Sequence, residues 1–207
     1  PLSLDKPGAE PSRAKRATPG LPIVGVDLRV LDDDDVEVPW DGATVGEICA
    51  RSNHVMVGYW RRPEETADAL RGGWLRTGDL AVVDAEGYVQ IVDRRKDLIV
   101  SGGENIGSPE VERALAAHPA VREVAVVGMP DDKWGEVPAA FVAFHPGRSA
   151  SEAELVAWVQ ERLARFKAPK RVVVLDALPI GGTGKISKPA LRALLPPPGG
   201  RPPTADA

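Results

Sequence analysis

Residues 88–103 read YVQIVDRRKDLIVSGG, and the character of the chain changes across this stretch. Tyr88 to Val92 predicts a short β-strand that forms a hairpin with Ala81 to Asp84, because the residues between them, 85–87, end in a glycine suited to a tight turn. Five charged residues follow, from Asp93 to Asp97, and the segment from Asp97 to Ser101 predicts a strand that enters a Gly-Gly loop. The charged run is either an exposed linker or a hinge whose arginine binds an anion. In both interpretations it separates a β-rich half from an α+β half.

The half before this boundary predicts short strands with little helix. Ile23 to Leu31 alternates apolar and polar residues, and Val45 to Ala50 predicts another strand. Four consecutive aspartates, 32–35, lack the ligand spacing of a calcium loop and are interpreted as a solvated hairpin tip. Pro63 opens a short helix. Short strands in this number favour a small barrel or a curled sheet.

The half after the boundary predicts a compact sheet with helices. A helix is expected to begin at Ser108, with Ser108 as its cap and proline as its first residue. The segments Val121–Gly128 and Val137–Phe144 are apolar and β-branched and predict half-buried strands. Ser151 begins a capping box that opens an amphipathic helix. The predicted fold class is α+β, with a small β-rich subdomain followed by a compact α+β C-terminal domain.

Both ends of the chain lack the periodicity of regular structure. Residues 1–20 are rich in Pro, Ser, Ala and Arg and are interpreted as an N-terminal arm. Residues 196–207 include a run of prolines and glycines that cannot form the interior of a helix or strand, so they predict a disordered tail.

The composition excludes several classes of function. The 26 Lys and Arg residues against 30 Asp and Glu give a net charge of −4, so no basic field predicts binding to nucleic acid. The single cysteine excludes an internal disulfide and a multi-cysteine zinc site, and the three histidines lack metal-ligand spacing, so no metal site is predicted in this chain. No apolar run approaches the roughly 20 residues of a transmembrane helix, and no signal-peptide pattern is present. A cytoplasmic location is therefore expected.

Two segments carry side chains suited to binding a ligand. The stretch RTGDL, 76–80, places Asp79 at a turn into a strand, where its carboxylate can accept two hydrogen bonds from a sugar diol. The stretch GGTGK, 181–185, resembles a phosphate loop, but Pro179 and Ile186 stand where a Gly and a Ser or Thr are required. A mobile loop that presents Lys185 remains, which suits an oxyanion but is also an ordinary surface feature.

Seven short motifs follow one another along the chain. They are GYW (58–60), WLRTGDL (74–80), DRRKD (93–97), SGGENI (101–106), HPAV (118–121), GMPD (128–131) and TGKI (183–186). In this order they resemble the C-terminal part of the AMP-forming acyl-CoA synthetases, of the fatty-acid–CoA ligase type, in the adenylate-forming superfamily. Each motif is degenerate by itself, and their order makes coincidence implausible.

The resemblance implies a domain organisation and a reaction. Residues 21–93 would form a β-rich subdomain, a distorted barrel that closes a missing N-terminal portion. Residues 94–97 would be a hinge, and residues 98–195 a mobile C-terminal domain. The implied enzyme activates a small carboxylic acid, of the fatty-acid type, with ATP to give acyl-AMP and pyrophosphate. It then transfers the acyl group to coenzyme A and releases AMP.

The resemblance also implies roles for individual residues. Asp79 and Arg94 would bind the nucleotide, and Lys96 matches the hinge position. Lys185 would be the catalytic residue, reaching the carboxylate and α-phosphate oxygens. The residues implied in coenzyme A binding are Gly102, Gly103, Trp134, Phe166 and Lys170.

The sequence departs from the family in what it lacks. The Ser/Thr/Gly-rich phosphate loop, the substrate-pocket helix and the Tyr-Gly-x-Thr-Glu segment are absent. Magnesium would therefore be held by residues outside this chain, which is expected to be an inactive fragment of a larger enzyme. One alternative is an adenylation unit that loads a carrier-protein thiol, although LIVSGG at 98–103 differs from the Lys-Ile-Arg-Gly stretch of such units. The other alternative is a non-catalytic module that binds nucleotide or coenzyme A.

Overall fold

The structure is a computed structural model that describes residues 15 and 18–196 of the chain. Most of the predicted arm (1–20) and nearly all of the predicted tail (196–207) lie outside the described residues. The described residues divide into two compact units, with the division between Lys96 and Asp97. The division falls within the charged stretch 93–97.

The first unit is built on one antiparallel sheet. Its strands are β1 (Asp27–Leu31), β2 (Gly46–Arg51), β3 (Leu75–Val83) and β4 (Val89–Arg94), and they pair in the order β1-β2-β3-β4. Helix α1 (Pro63–Ala69) and a 3-10 turn (Arg71–Gly73) connect β2 to β3. Within the described residues β1 and β4 remain edge strands, so the predicted β-rich subdomain is an open sheet rather than a closed barrel.

A small aliphatic core covers one face of this sheet. Full burial of each valine side chain in it contributes about 1.5–3 kcal/mol. The buried members are Val30, Val38, Ala81, Val83 and Val89.

The second unit combines a five-stranded sheet with three helices. Its elements are β5 (Ile99–Ser101), β6 (Glu104–Ile106), α2 (Ser108–Ala116), β7 (Val121–Asp131), β8 (Gly135–Phe144), α3 (Glu152–Gln160), a 3-10 turn (Arg165–Lys167), β9 (Arg171–Val174) and α4 (Lys188–Arg192). The strands pair in the order β6-β5-β8-β7, and β9 also pairs with β8, in parallel. With its mixed helices and antiparallel strands, the structure confirms the α+β fold class.

Strand β8 is the centre of this unit and is buried on both faces. Every residue from Val137 to Ala143 is buried. Ala140 and Val142 belong to the core that helices α2 and α3 cover, and Phe141 belongs to a second core that includes Leu191 of α4. The expectation of a half-buried strand is therefore wrong for β8, because helices cover both sides of the sheet.

Local signals set two helix starts, and one of them differs from the expectation. The hydroxyl of Ser151 accepts the backbone N–H of Glu154 at 3.2 Å, which confirms the predicted cap of α3. Helix α2 has Gly107 as its N-cap, and Ser108 is already its first residue. The buried Ser108 hydroxyl instead accepts a hydrogen bond from the ammonium of Lys188 at 2.5 Å. The cap prediction for Ser108 is wrong because a distant helix, α4, uses this side chain.

Three side chains fasten α4 to the rest of its unit. Lys188 Nζ lies 3.0 Å from Glu112 Oε1, and Arg192 Nη2 lies 2.8 Å from Oδ1 of the buried Asp97. Leu191 between them is fully buried. Helix α4 is thereby tied both to α2 and to the first residue of the unit.

Candidate functional site

Strand β3 carries a bulge that ends at Asp79. The pairing of β2 with β3 shifts register after Glu47, so that residues 77–79 stand opposite Ile48 alone. Gly78 has a φ of 73°, a left-handed conformation that favours glycine. Bulges bend a strand and redirect its side chains. The sequence predicted a turn that leads into a strand at Asp79, and the structure has a bulge within β3 instead. The bulge sets the direction of the Asp79 side chain.

The two residues implied in nucleotide binding lie side by side. Asp79 and Arg94 are direct neighbours across β3 and β4, and Arg94 Nε lies 3.1 Å from Asp79 Oδ1. The Arg94 side chain is 58% exposed and that of Asp79 is 29% exposed. Within residues 18–196 the two terminal nitrogens of Arg94 have no partner, so they can bind an anion or a hydroxyl while Nε holds Asp79.

A cavity of about 340 Å³ opens beside this pair. It is lined by the bulge residues Thr77 and Gly78 and by three consecutive cations, Arg94, Arg95 and Lys96. Its volume is at the lower end of the range of small-molecule sites, roughly 300–1,000 Å³. The carboxylate can bind hydroxyl groups, and the neighbouring cations can bind phosphate oxygens. This combination fits the ribose and phosphate of a nucleotide.

Sequence reasoning missed Glu47, which lies beneath the bulge. Its side chain is buried, and its Oε1 accepts the backbone N–H of Gly78 at 2.8 Å. The available signal was its position in β2, two residues before the buried Cys49, because residues two apart in a strand share a face. A carboxylate on a core-facing position requires a partner.

The four aspartates form a hairpin tip, as predicted, but they are bound more closely to arginines than expected. Asp32 Oδ1 accepts two backbone N–H groups of its own turn, at 3.0 and 2.9 Å. Asp33 Oδ1 lies 2.6 Å from Arg95 Nη1, and this hydrogen bond lowers the pKa of Asp33 below its ordinary value. Asp35 pairs with Arg76. Part of this acidic segment therefore pairs with arginines around Glu47.

The predicted hinge residue occupies a turn. Lys96 is exposed in the turn 95–97 between β4 and β5, and it is the last residue of the first unit. The backbone N–H of Arg95, one residue earlier, donates to the carbonyl of Gly78 at 2.8 Å. The backbone is therefore bonded to the β3 bulge up to residue 95, and the division between the units follows Lys96.

In the second unit three of the five residues implied in coenzyme A binding lie together, Gly102, Gly103 and Trp134. Gly102 donates its backbone N–H to the carbonyl of Trp134 at 2.8 Å, and a methyl group on Gly102 would lie 2.7 Å from the indole ring. Gly103 has open space around it. The indole of Trp134 is 45% exposed, and the ammonium of Lys133 lies 4.6 Å from its ring centre. The result is a surface aromatic face beside a glycine backbone.

The other two implied coenzyme A contacts lie in the segment that leads into β9. Phe166 is 40% exposed in the 3-10 turn after α3, so it does not belong to the buried face of that helix. Lys170 is exposed, and its backbone N–H donates to the carbonyl of Pro138 at 2.8 Å. Pro138 is three residues along β8 from Gly135, or about 10 Å. Lys170 therefore lies near the strand whose beginning adjoins Trp134.

The predicted catalytic residue is presented by a tight turn. An isolated bridge between Ile180 and Ile186 closes the loop, and Gly181 donates its backbone N–H to the carbonyl of Lys185 at 2.7 Å. Lys185 is exposed, and its ammonium has no partner among the described residues. A short hydrogen-bonded loop thus projects one cation into solvent.

The described residues contain neither a candidate metal site nor a membrane-spanning helix. Across residues 15 and 18–196, no group of three or more His, Cys, Asp or Glu side chains is arranged to bind a metal ion. No helix in the same part of the chain has the length and apolar character needed to cross a bilayer.

Comparison with known proteins gives matches at both ends of the chain. The family described as AMP-binding enzyme C-terminal domain matches residues 110–185, and the family described as AMP-binding enzyme matches residues 5–60. The chain is 45% identical over 177 residues to 4-hydroxybutyrate–CoA ligase 2 of Metallosphaera sedula, a match that covers 86% of this chain and 32% of that protein.

Solved structures give the same result. An o-succinylbenzoate CoA synthetase from Bacillus subtilis, in complex with its acyl-adenylate intermediate, matches with a TM-score of 0.79 and 39% identity, covering 86% of this chain and 36% of that one. The amide bond synthetase McbA from Marinactinospora thermotolerans matches with a TM-score of 0.77 and 38% identity, again over 86% of this chain and 36% of that one.

The fold of this chain therefore matches part of solved enzymes, one of which holds an acyl-adenylate intermediate. The chain belongs to the adenylate-forming superfamily of AMP-binding enzymes. It spans about a third of the length of the curated relatives that it matches, which include acid–CoA ligases.

Proposed function

We propose that this chain is the C-terminal part of an acid–CoA ligase. The complete enzyme would activate a carboxylic acid with ATP to give acyl-AMP and pyrophosphate, and would then transfer the acyl group to coenzyme A. The observation that carries the proposal is the Asp79–Arg94 pair, whose arginine lines a cationic cavity. An exposed ion pair contributes only about 0.2–1 kcal/mol to stability, so stability alone is a weak reason for this geometry.

In this proposal the first unit holds the nucleotide. The carboxylate of Asp79 accepts hydrogen bonds from the ribose hydroxyls, and Arg94 Nε keeps that carboxylate in place. The terminal nitrogens of Arg94 bind the ribose and phosphate side of the nucleotide. Charge-assisted hydrogen bonds of this kind are roughly twice as strong as neutral ones.

The second unit supplies the cation for adenylation. When a carboxylate oxygen attacks the α-phosphorus of ATP, the new C–O–P bond forms as the bond to pyrophosphate breaks, and two anions must approach each other. The exposed ammonium of Lys185 would neutralise the reacting oxygens. One charge pair at 4 Å is worth about 4 kcal/mol at an effective dielectric constant near 20, or roughly three decades in rate. The hinge at Lys96 would then carry the second unit away.

The glycines after β5 would serve the second half-reaction. The thiol of coenzyme A attacks the acyl carbon, loses its proton and displaces AMP. Gly102 and Gly103 would line the path of the pantetheine arm, and Trp134 offers an aromatic face for the nucleotide of coenzyme A. Phe166 and Lys170 complete the proposed coenzyme A contacts.

The identity of the acid stays open within this proposal. The relatives described above are named for 4-hydroxybutyrate and o-succinylbenzoate, so they give no support to the fatty-acid specificity expected from sequence. The acceptor is a separate question, because one structural neighbour is named as an amide bond synthetase. A carrier-protein thiol stays the alternative acceptor. Magnesium would be held by residues outside this chain, and a cytoplasmic location stays a prediction.

The proposal is tested by separating the two half-reactions in the complete enzyme. Lys185→Ala is expected to slow pyrophosphate release from acid and ATP by about 10³-fold, because the cation at the reacting oxygens is lost. Thioester formation from supplied acyl-adenylate and coenzyme A should stay within a few-fold of wild type. Arg148→Ala, which removes another exposed cation of the same unit, is the control. Equal losses in both half-reactions would refute the role of Lys185.

The 207-residue chain by itself distinguishes the remaining alternative. We expect it to release no pyrophosphate, since the phosphate loop is absent from the sequence. Titration calorimetry with AMP and with coenzyme A then measures whether it binds either ligand. Turnover by the chain alone would contradict the proposal, and tight binding with an inactive complete protein would favour a non-catalytic module.

A further inference from the structure

We propose that Glu47 is a positioning residue for the nucleotide site, because it holds the β3 bulge through Gly78 and so sets the direction of the Asp79 carboxylate. The inference rests on the proposed function, in which Asp79 binds the ribose hydroxyls. Glu47 itself touches no substrate in this proposal. It acts through the backbone of the residue before Asp79.

The backbone of Gly78 is hydrogen-bonded at both its N–H and its carbonyl. Its N–H donates to Glu47 Oε1 at 2.8 Å, and its carbonyl accepts the backbone N–H of Arg95 at 2.8 Å. A bulge residue has no place in the regular ladder between strands, so its N–H needs another acceptor. The Glu47 carboxylate is that acceptor, and Gly78 is held from both sides.

The rest of the bulge is held by Thr77. Its hydroxyl donates to the carbonyl of Ile48 at 2.8 Å and accepts the backbone N–H of Asp79 at 3.1 Å. Thr77 therefore connects β2 directly to the backbone of Asp79. With Gly78 bonded to Glu47, each residue of the three-residue bulge has a hydrogen bond that fixes it.

The charge of Glu47 has its own compensation, separate from Arg94. The side chain is 8% exposed, and its Oε2 lies 3.4 Å from Arg95 Nη2 and 3.9 Å from Arg76 Nη1. A buried carboxylate requires such partners. Arg95, the first residue of the turn after β4, pairs with Glu47, while Arg94, the last residue of β4, pairs with Asp79. Because the charge of Glu47 is compensated by Arg95, Glu47 does not need Arg94, and the terminal nitrogens of Arg94 can bind the nucleotide.

Selectivity for the ribose distinguishes positioning from a merely structural role. If Glu47 only stabilised the fold, replacing it would lower the melting temperature and leave the choice between nucleotides unchanged. If it positions Asp79, replacing it reduces the preference for ATP over 2′-deoxy-ATP and 3′-deoxy-ATP. A hydrogen bond from a hydroxyl to a charged group corresponds to a preference of roughly 10- to 100-fold.

The experiment measures kcat/KM of the complete enzyme for ATP and for both deoxy analogues. Glu47→Ala is expected to reduce the preference for ATP to about that of Asp79→Ala, and Glu47→Gln to reduce it by about 3-fold or more, because a neutral acceptor binds Gly78 less strongly. Asp33→Asn is the matched control, since Asp33 shares the partner Arg95 but its side chain is 85% exposed at the hairpin tip. Its preference should equal that of wild type.

Each outcome decides the proposal. If Asp79→Ala lowers the preference and the folded Glu47 variants keep it, the role of Glu47 is refuted and the proposed function stands. If the wild-type enzyme shows no preference for the ribose hydroxyls, the proposed role of Asp79 fails and that of Glu47 fails with it. Should Glu47→Ala not fold, Glu47→Gln decides alone. Faster hydrogen exchange of the Gly78 amide in the 207-residue chain that carries Glu47→Ala or Glu47→Gln would show that the bulge has lost its acceptor.

Discussion

The substitution Gly102→Ala places a methyl group against the indole ring of Trp134. The new Cβ would lie 2.7 Å from Cε3 and 3.1 Å from Cζ3 of the ring, and φ at this position is 59°. Gly103 has a φ of 87° but no heavy atom within 4 Å of the equivalent Cβ. The two neighbouring glycines therefore separate backbone strain from steric contact.

The expected losses of free energy of unfolding follow from the backbone strain and the steric contact. A non-glycine residue in the left-handed region costs about 1–2 kcal/mol, and the reduced entropy of the unfolded chain offsets about 0.4–1 kcal/mol of this. Gly103→Ala should thus destabilise the second unit by about 1 kcal/mol. Gly102→Ala adds about 1–2 kcal/mol for displacing the ring, the lower part of the usual range for overpacking, because Trp134 is 45% exposed and can move.

Hydrogen exchange of buried β7 and β8 amides measures the free energy of unfolding of the second unit separately from the first. Gly102→Ala is expected to reduce it by about 2–3 kcal/mol, and in a Trp134→Ala background by only about 1 kcal/mol, since the ring is gone. In the complete enzyme the same variant should raise the KM for coenzyme A and leave adenylation unchanged. The ring contact would not be the cause if both glycine variants lost the same free energy of unfolding. The same would follow if the loss caused by Gly102→Ala were unchanged in the Trp134→Ala background.

The remaining predictions concern the ties of α4, an acidic turn and the hinge. Arg192→Ala should lower the free energy of unfolding of the second unit by about 2 kcal/mol, because it leaves the buried carboxylate of Asp97 without its cation; chemical denaturation should show a change below about 0.5 kcal/mol for the surface control Arg148→Ala. Hydrogen bonds from the backbone N–H and the hydroxyl of Thr44 lower the pKa of Asp41 from 3.8 to about 2. Its contribution to stability is therefore complete above the ordinary carboxyl pKa and lost as the pH falls through about 2, and an NMR titration midpoint near 4 would contradict this. Lys96→Pro fixes φ near −65°, so it should block thioester formation and spare pyrophosphate release, and normal turnover with coenzyme A would argue against a hinge there.

The sequence by itself determined the elements whose signals are local. The capping box at Ser151 predicted the start of α3, and the apolar, β-branched residues of Val121–Gly128 predicted a strand, because hydrogen bonds and residue types within a few positions set these features. The order of short motifs along the chain gave the family. It also gave Asp79 and Arg94, which pairing between β3 and β4 brings into contact.

Only the tertiary structure decided the features that depend on distant partners. Glu47 binds the backbone of Gly78, 31 residues later, and Lys188 reaches the hydroxyl of Ser108 from 80 residues away. The two-sided burial of β8 likewise depends on helices before and after it in the chain. A short stretch of sequence does not show which distant residue accepts the N–H of a bulge, or which helix covers the second face of a strand. These contacts form only when separate segments of the chain pack together.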